Sequence, residues 1–157
     1  MNAFEQVEAL LVDSNLRIAS KDFKRPWGGF FVIEEADTLK FIQKFFTDTK
    51  VDSKGKLSPK ILVVAPNKRL SWQYHYRRSE IWKLIDGIAG LKRSLTDDES
   101  ELQSLELNKT IQLAQGERHR LVGLNGWGIV AEIWQHTDPQ YPSDENDIVR
   151  LQDDFGR

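Results

Sequence analysis

Residues Leu70–Trp82, LSWQYHYRRSEIW, hold one of the three histidines in the chain. His75 lies between Tyr74 and Tyr76, with Gln73 two residues before it and Glu80 five residues after it. In an extended strand, residues two apart share a face. Gln73 and His75 therefore point one way, and Trp72, Tyr74 and Tyr76 point the other. A fold-back at Arg77-Arg78-Ser79 brings Glu80 beside His75. That places an amide oxygen, an imidazole nitrogen and a carboxylate on one inner face. The competing reading is an aromatic strand with a polar edge, whose single histidine is simply hydrogen-bonded.

A second histidine has a similar setting. In TIQLAQGERHRL, residues 110–121, a tight turn at Gln115-Gly116 precedes His119. If this strand packs beside the first pair, His119 completes a four-ligand set with Gln73, His75 and Glu80. Two nitrogens and two oxygens suit zinc, iron, nickel, manganese or cobalt, and the set does not choose among them. Gln73 is alternatively a hydrogen-bonded interior residue, which leaves a three-ligand site. His136 lies beyond the last strand with no such spacing and reads as surface.

Outward from these histidines, residues 60–135 are a run of short β-type segments. KILVVA, LSWQYHY, EIWKLIDG, GLKRSL, LQSLEL, TIQLA, RHRLVGL and GIVAEIWQ follow one another. Pro66-Asn67, Asp86-Gly87, Asp97-Asp98, Asn108, Gln115-Gly116 and Gly126 read as the turns between them. Many short strands at regular spacing predict an antiparallel sandwich or barrel. The first third differs. Phe4, Val7, Leu10 and Leu11 predict a helix over residues 3–12, and Leu39, Ile42, Phe45 and Phe46 give a second helical face. Asp37 or Thr38 is the expected cap of that second helix. RPWGGFFVIEE, residues 25–35, reads as a strand, and residues 50–59 as an exposed loop. The tail from Gln140 is dense in acids and by composition is a solvated end.

The whole chain sets further bounds. It has 157 residues, 22 basic and 24 acidic, for a net charge of −2. One domain is the prior at that length. The charge balance gives no sign of a nucleic-acid partner. No cysteine is present, which excludes thiolate metal sites and fits a cytoplasmic setting. The opening MNAFEQVEALLVD has acids where a signal peptide carries bases. No apolar run approaches the ~18 residues of a membrane span, so no membrane partner is expected.

The spacings resemble the two motifs of the cupin family. The first runs Asn67, Gln73, His75, Glu80, Gly87; the second runs Asn108, Ala114, Gly116, His119, Gly123. Asn67 and Asn108 stand where that pattern has glycine, a mild change because Asn tolerates the left-handed conformation. Ala114 replaces a proline, Gly123 an asparagine, and Gln73 the first histidine. The glutamine points to one branch: the chain resembles the C-terminal cupin domain of type II phosphomannose isomerases. Arg25-Pro26-Trp27-Gly28, LSWQYHYRRSEIWKLIDGIA, GERHRL and ENDIVRLQDDFGR carry that resemblance. Tyr76, Arg77 and Ile81 stand where that family often has histidine.

The resemblance implies a mainly β fold, a cupin double-stranded β-helix (jelly-roll) barrel with one or two N-terminal helices. It also implies a single domain over 1–157, with a helix and lead-in over 1–24, a barrel with a helical insertion over 25–136, and a tail over the barrel mouth at 137–157. The implied activity is aldose–ketose isomerisation of a hexose or heptose phosphate, assisted by one divalent metal ion on Gln73, His75, Glu80 and His119, with zinc ahead of nickel, manganese, iron and cobalt. Glu132 is the implied proton carrier, and Arg150 holds developing charge or phosphate. Arg78 and Arg120 are further phosphate candidates. A homodimer is open. No Gly-rich phosphate loop occurs, so these residues are not expected to make GDP-mannose as the family's companion nucleotidyltransferase domain does. A metal- or sugar-binding module beside a separate nucleotidyltransferase is the alternative. Oxygenase chemistry is disfavoured by Gln73.

Overall fold

The computed structural model describes all 157 residues. Helix α1, Ala3–Asp13, starts where Asn2 Oδ1 accepts the Glu5 amide proton at 2.9 Å, the usual cap of a first turn. Its buried stripe is Ala3, Val7 and Leu11. A 3₁₀ turn over Glu35–Asp37 leads into helix α2, Thr38–Phe45. Neither expected cap forms. The Asp37 carboxylate instead accepts from the Arg17 backbone and guanidinium at 2.8–3.0 Å, and Thr38 Oγ1 donates to the Glu35 carbonyl. The hydrogen bonds from Arg17 pull Asp37 down to about 2. The buried face of α2 is Thr38, Phe41 and Phe45, with Phe46 following it, while Leu39 is exposed. In a helix of two turns, periodicity does not single out one face.

The strands are β1 Ile18–Arg25, β2 Gly28–Ile33, β3 Lys60–Val64, β4 Trp72–Tyr74, β5 Arg78–Ser94, β6 Gln103–Ser104, β7 Thr110–Leu113, β8 Arg118–His136 and β9 Val149–Gln152. They form one antiparallel sheet. Its path runs β1-β2-β3-β8-β4-β9, with β5 pairing β8, β6 and β7. The expected closed barrel is thus a curled, mainly β, cupin-like half-barrel whose ladder ends at β1 and β9. Strand β1 was not expected. It is polar and mostly exposed because it is an edge, pairing only with β2.

Asp86-Gly87 and Gly126 do not end strands. They are bends within two strands of 17 and 19 residues. Gly87 pairs with Gly128, and the next pair is Ala89 with Gly123, so residues 124–127 bulge out of the ladder. A Cβ on Gly87 would lie 2.0 Å from the Trp127 carbonyl oxygen, and one on Gly128 2.4 Å from that of Ile88. Only glycine admits this crossing. The bend turns both strands back on themselves and creates an inside. Leu62, Val64, Trp82, Leu84, Leu91, Leu121 and Val130 fill it. The alternate residues Phe31, Ile61, Val63, Ile81, Ile129, Ala131 and Ile133 face outward against α1 and α2. Both faces of β3 and of the central strands are covered, which is why KILVV and IVAEIW are nearly continuous apolar runs.

The other turn residues behave as their chemistry requires. Asn67 and Asn108 have φ of 59° and 63°, the left-handed region where Asn replaces glycine at low cost. The tail is not a solvated end: Val149–Gln152 pairs with β4. No helix is long and apolar enough to cross a membrane.

Gly123, which replaces the motif's asparagine, has a backbone reason. A Cβ there would meet the Ala65 carbonyl oxygen at 2.0 Å and that of Lys68 at 2.6 Å. Restoring the motif by Gly123→Asn is expected to destabilise the fold by about 1–3 kcal/mol. The readout is a lower urea midpoint at unchanged slope; an unchanged midpoint would show that the strand relaxes freely.

Candidate metal centre

β4 ends at Tyr74, and the chain turns over His75 into β5. That turn, together with the bend in β8, carries His75, Glu80 and His119 into one buried cluster whose donor atoms all lie within 4.8 Å of one another. Glu80 Oε2 is 3.4 Å from His75 Nε2, and Glu80 Oε1 is 3.2 Å from His119 Nε2. Each residue is at most 3% exposed. Gln73 is the neighbour of His119 in the ladder and lines one cavity together with Glu80. Its Oε1 accepts the hydroxyl proton of buried Ser71 at 2.6 Å, and a second lone pair remains on that oxygen.

Both imidazoles are oriented by backbone. His75 Nδ1 lies 2.7 Å from the Asp147 carbonyl and His119 Nδ1 2.9 Å from the Glu117 carbonyl. A carbonyl only accepts, so each Nδ1 carries the proton and each Nε2 presents a lone pair. This is the second contact that metal-binding histidines ordinarily make. His119 Nε2 and Glu80 Oε1 are the two buried side-chain polar atoms without a hydrogen-bond partner. Unsatisfied buried groups are costly, and a divalent cation between them satisfies both. The residues therefore fit a metal ion.

The surroundings favour the ligand form of His75 and Glu80, while Glu80 favours a proton on His119 that a metal ion would displace. Burial drives His75 down to about 4, which keeps it neutral, as a ligand must be. Burial would raise Glu80, but His75, Arg78 and His119 hold it well below the usual carboxylate range. Burial also works against charge on His119, yet the Glu80 carboxylate raises it. Glu132 accepts from the indole N–H of Trp82 at 2.8 Å and of Trp134 at 3.0 Å. Burial first, and then the charge of Glu80, raise it to about 7.

The four arginine and glutamate candidates separate clearly. Glu132 and Arg150 line the cavity with Gln73 and Glu80. Arg150 is exposed and lies opposite Gln73 in the β4–β9 ladder, and its side chain makes no hydrogen bond or ion pair within the chain. Arg78 also lines the cavity, but its guanidinium is occupied. It donates to Glu80 Oε2 at 2.8 Å, to Ser143 Oγ at 2.8 Å and to His75 Nε2 at 3.2 Å, and it lies 3.6 Å from the Trp134 ring centroid. It orients ligands rather than offering a free cation, and a metal ion would take over the His75 lone pair. Arg120 is fully buried outside the cavity, donating to the Leu70 carbonyl, Glu99 and Gln152. There it ties the 97–101 loop, β9 and Leu70, just before β4, to β8.

The residues that sequence reasoning missed are the orienting ones. Asp147 is buried in the acidic tail. Its carboxylate accepts from the Tyr76 and Arg77 amides and from Ser143 Oγ, while its carbonyl fixes His75. The run ENDIVR held the signal, but there only Arg150 drew a role. His136 is half-buried rather than surface, accepting from the Ser143 amide through Nδ1.

The curled β fold with a buried two-histidine, one-glutamate cluster defines a cupin-like protein with a candidate metal site. The family model described as Mannose-6-phosphate isomerase C-terminal matches residues 44–153, and the chain belongs to that family. It is 31% identical over 133 residues to the alginate biosynthesis protein AlgA of Pseudomonas aeruginosa, which covers 85% of this chain and 22% of that one. It is 26% identical over 140 residues to a mannose-1-phosphate guanylyltransferase of Salmonella montevideo, with 89% and 24% covered. The chain thus spans less than a quarter of the length of either relative. Among solved structures, an oxalate oxidase matches with TM-score 0.55 at 15% identity, covering 82% of this chain and 58% of that one. The capsular polysaccharide assembling protein CapF of Staphylococcus aureus matches at 0.54 and 13% identity, covering 87% and 32%. At these identities the likeness is one of fold.

His119→Ala is expected to abolish stoichiometric divalent-metal binding with little change in far-UV circular dichroism, as read by elemental analysis after dialysis. One metal ion per chain retained in that variant would show that the cluster is not the centre.

Proposed function

We propose that the chain is a metal-dependent aldose–ketose isomerase acting on a hexose or heptose phosphate, with the metal ion on Gln73, His75, Glu80 and His119 and zinc as the first choice. The observation that carries this reading is what one cavity brings together. Its wall holds Glu80 of the ligand cluster, the Glu132 carboxylate at about 7, and the unpaired Arg150. Isomerisation needs a group that takes a proton from C2 and returns it to C1, with the oxygens stabilised meanwhile. A divalent cation at the cluster would supply Lewis-acid polarisation of the neighbouring carbonyl and hydroxyl oxygens.

The chain's own residues do the rest. Glu132 takes the C2 proton as carboxylate and gives it back to C1, while the C2 hydroxyl proton passes to the C1 oxygen, so the step is redox-neutral within the sugar. A carboxyl that titrates near neutrality suits both directions of transfer. The two indole N–H groups fix its orientation without neutralising it. Trp27, Trp82 and Trp134 line the cavity and exclude water from the transferring proton. Arg150 meets negative charge at the cavity mouth. Gln73 is the fourth ligand, which the Ser71 hydroxyl holds in place.

Metal-loaded protein is expected to convert mannose 6-phosphate, or another aldose phosphate from a hexose and heptose panel, to its ketose. With metal bound and no turnover across the panel, the chain is a binding module. Glu132→Gln should keep the metal and lower turnover roughly 10²–10⁴-fold. Arg150→Ala should keep the metal and lower it roughly 10²-fold. Unchanged kinetics in either variant would remove that residue from the reaction. Gln73→Leu should still bind one metal ion, but about tenfold more weakly; an unchanged affinity would leave a three-ligand site.

A further inference from the structure

Lys60 is an unusual residue for the inner face of a strand. It opens β3 directly opposite Glu132 in the ladder, and its side chain turns into the cavity, where only 8% of it is exposed. Nζ lies 3.7 Å from the centroid of the Trp134 ring and donates to Glu145 Oε1 at 2.6 Å. Glu145 is the opposite case. Its side chain is 77% exposed, and Lys60 is its one hydrogen-bond partner. Its backbone is anchored: Asn146 and Asp147 donate to Asp144, and Ser143 and Asp147 on either side are buried. An exposed carboxylate therefore leans into a cavity to neutralise a buried ammonium.

Burying a charge without a partner is costly, so Lys60 requires an anion. Nothing requires that anion to be Glu145, whose own carboxylate is mostly in water already and can return there once another anion meets Lys60. Arg150 stands five residues further along the same tail, lines the same cavity and has no partner. Of the five cations that line the cavity, Arg25, Arg78 and Arg157 are paired with Asp22, Glu80 and Asp153; Lys60 and Arg150 face the same space, and a removable carboxylate sits on Lys60. A phosphate monoester carries about −1.5 to −2 at neutral pH, with three strong acceptor oxygens, and is the stronger partner for both.

We propose that Lys60 and Arg150 form the phosphate subsite of this cavity, and that Glu145 is its resting counter-ion, displaced when a phosphate enters. The nature of the anion rests on the sugar-phosphate reading. The displacement rests on the Lys60–Glu145 contact.

The test is titration of the metal-loaded chain with inorganic phosphate by calorimetry, without any sugar. Glu145→Gln should bind phosphate about three- to fivefold more tightly, the worth of a pair with one exposed partner. Lys60→Met should bind it at least tenfold more weakly, and in that background Glu145→Gln should give no gain. Wild-type affinity in Glu145→Gln, or a gain that persists in the Lys60→Met background, overturns the proposal. Should Lys60→Met fail to fold, Glu145→Gln decides alone, because Glu145 is an exposed side chain. Turnover plays no part in the readout. An inactive protein with the expected phosphate affinities loses only the isomerase reading, and an active one whose Glu145→Gln variant binds like wild type loses only this subsite.

Discussion

The crossing of β5 and β8 on two facing glycines is the constraint from which the rest of the molecule follows. Glu80 and Arg93 are thirteen residues apart along β5, and Arg93 pairs with His119. In a straight strand that separation would be about 43 Å. Glu80 and His119 nevertheless approach to 3.2 Å. Only the bend at Gly87 and Gly128 allows it, because a side chain at either position would strike the opposing backbone. The same bend gives the sheet an inner face for the cavity and an outer face for α1 and α2. Packing and chemistry are consequences of one backbone contact.

Within that inner face, charges are organised in pairs rather than scattered. Arg78 lies against Glu80, Lys60 against Glu145, and Glu132 between two indole N–H groups. Such pairs add little net stability, because desolvation offsets much of the attraction. What they provide is direction. Arg78 and the two backbone carbonyls leave His119 Nε2 and one oxygen of Glu80 aimed at the same point without partners. The tryptophans act as both packing and polar handles: Trp82 fills the core and holds one oxygen of Glu132, while Trp134 holds the other and faces Lys60 and Arg78.

Part of the candidate site was legible in the sequence. Strand periodicity and a tight turn suffice to bring His75 and Glu80 together, and turn chemistry explains Asn67 and Asn108. Four features were not legible, each for a physical reason. Asp86-Gly87 looks like a hairpin turn, since nothing local shows that another glycine lies across from it. β1 is polar because it is an edge, so its alternation carries no signal. Asp147 looked solvated, because its partners are two backbone amides some 70 positions away. Arg78 and Arg120 could not be told from free cations, since burial of an arginine depends on distant acceptors such as Ser143 and Gln152.

The hydrogen bond from His75 to the Asp147 carbonyl has a consequence for the order of assembly. The two residues are 72 positions apart. Until the segment around Asp147 docks, His75 Nδ1 and the Tyr76 and Arg77 amides lack their acceptors. The His75–Glu80–His119 cluster can mature only after residues 143–147 have been made. Long-range closure of this kind is slow relative to local structure. The cluster is therefore among the last parts of the molecule to become ordered.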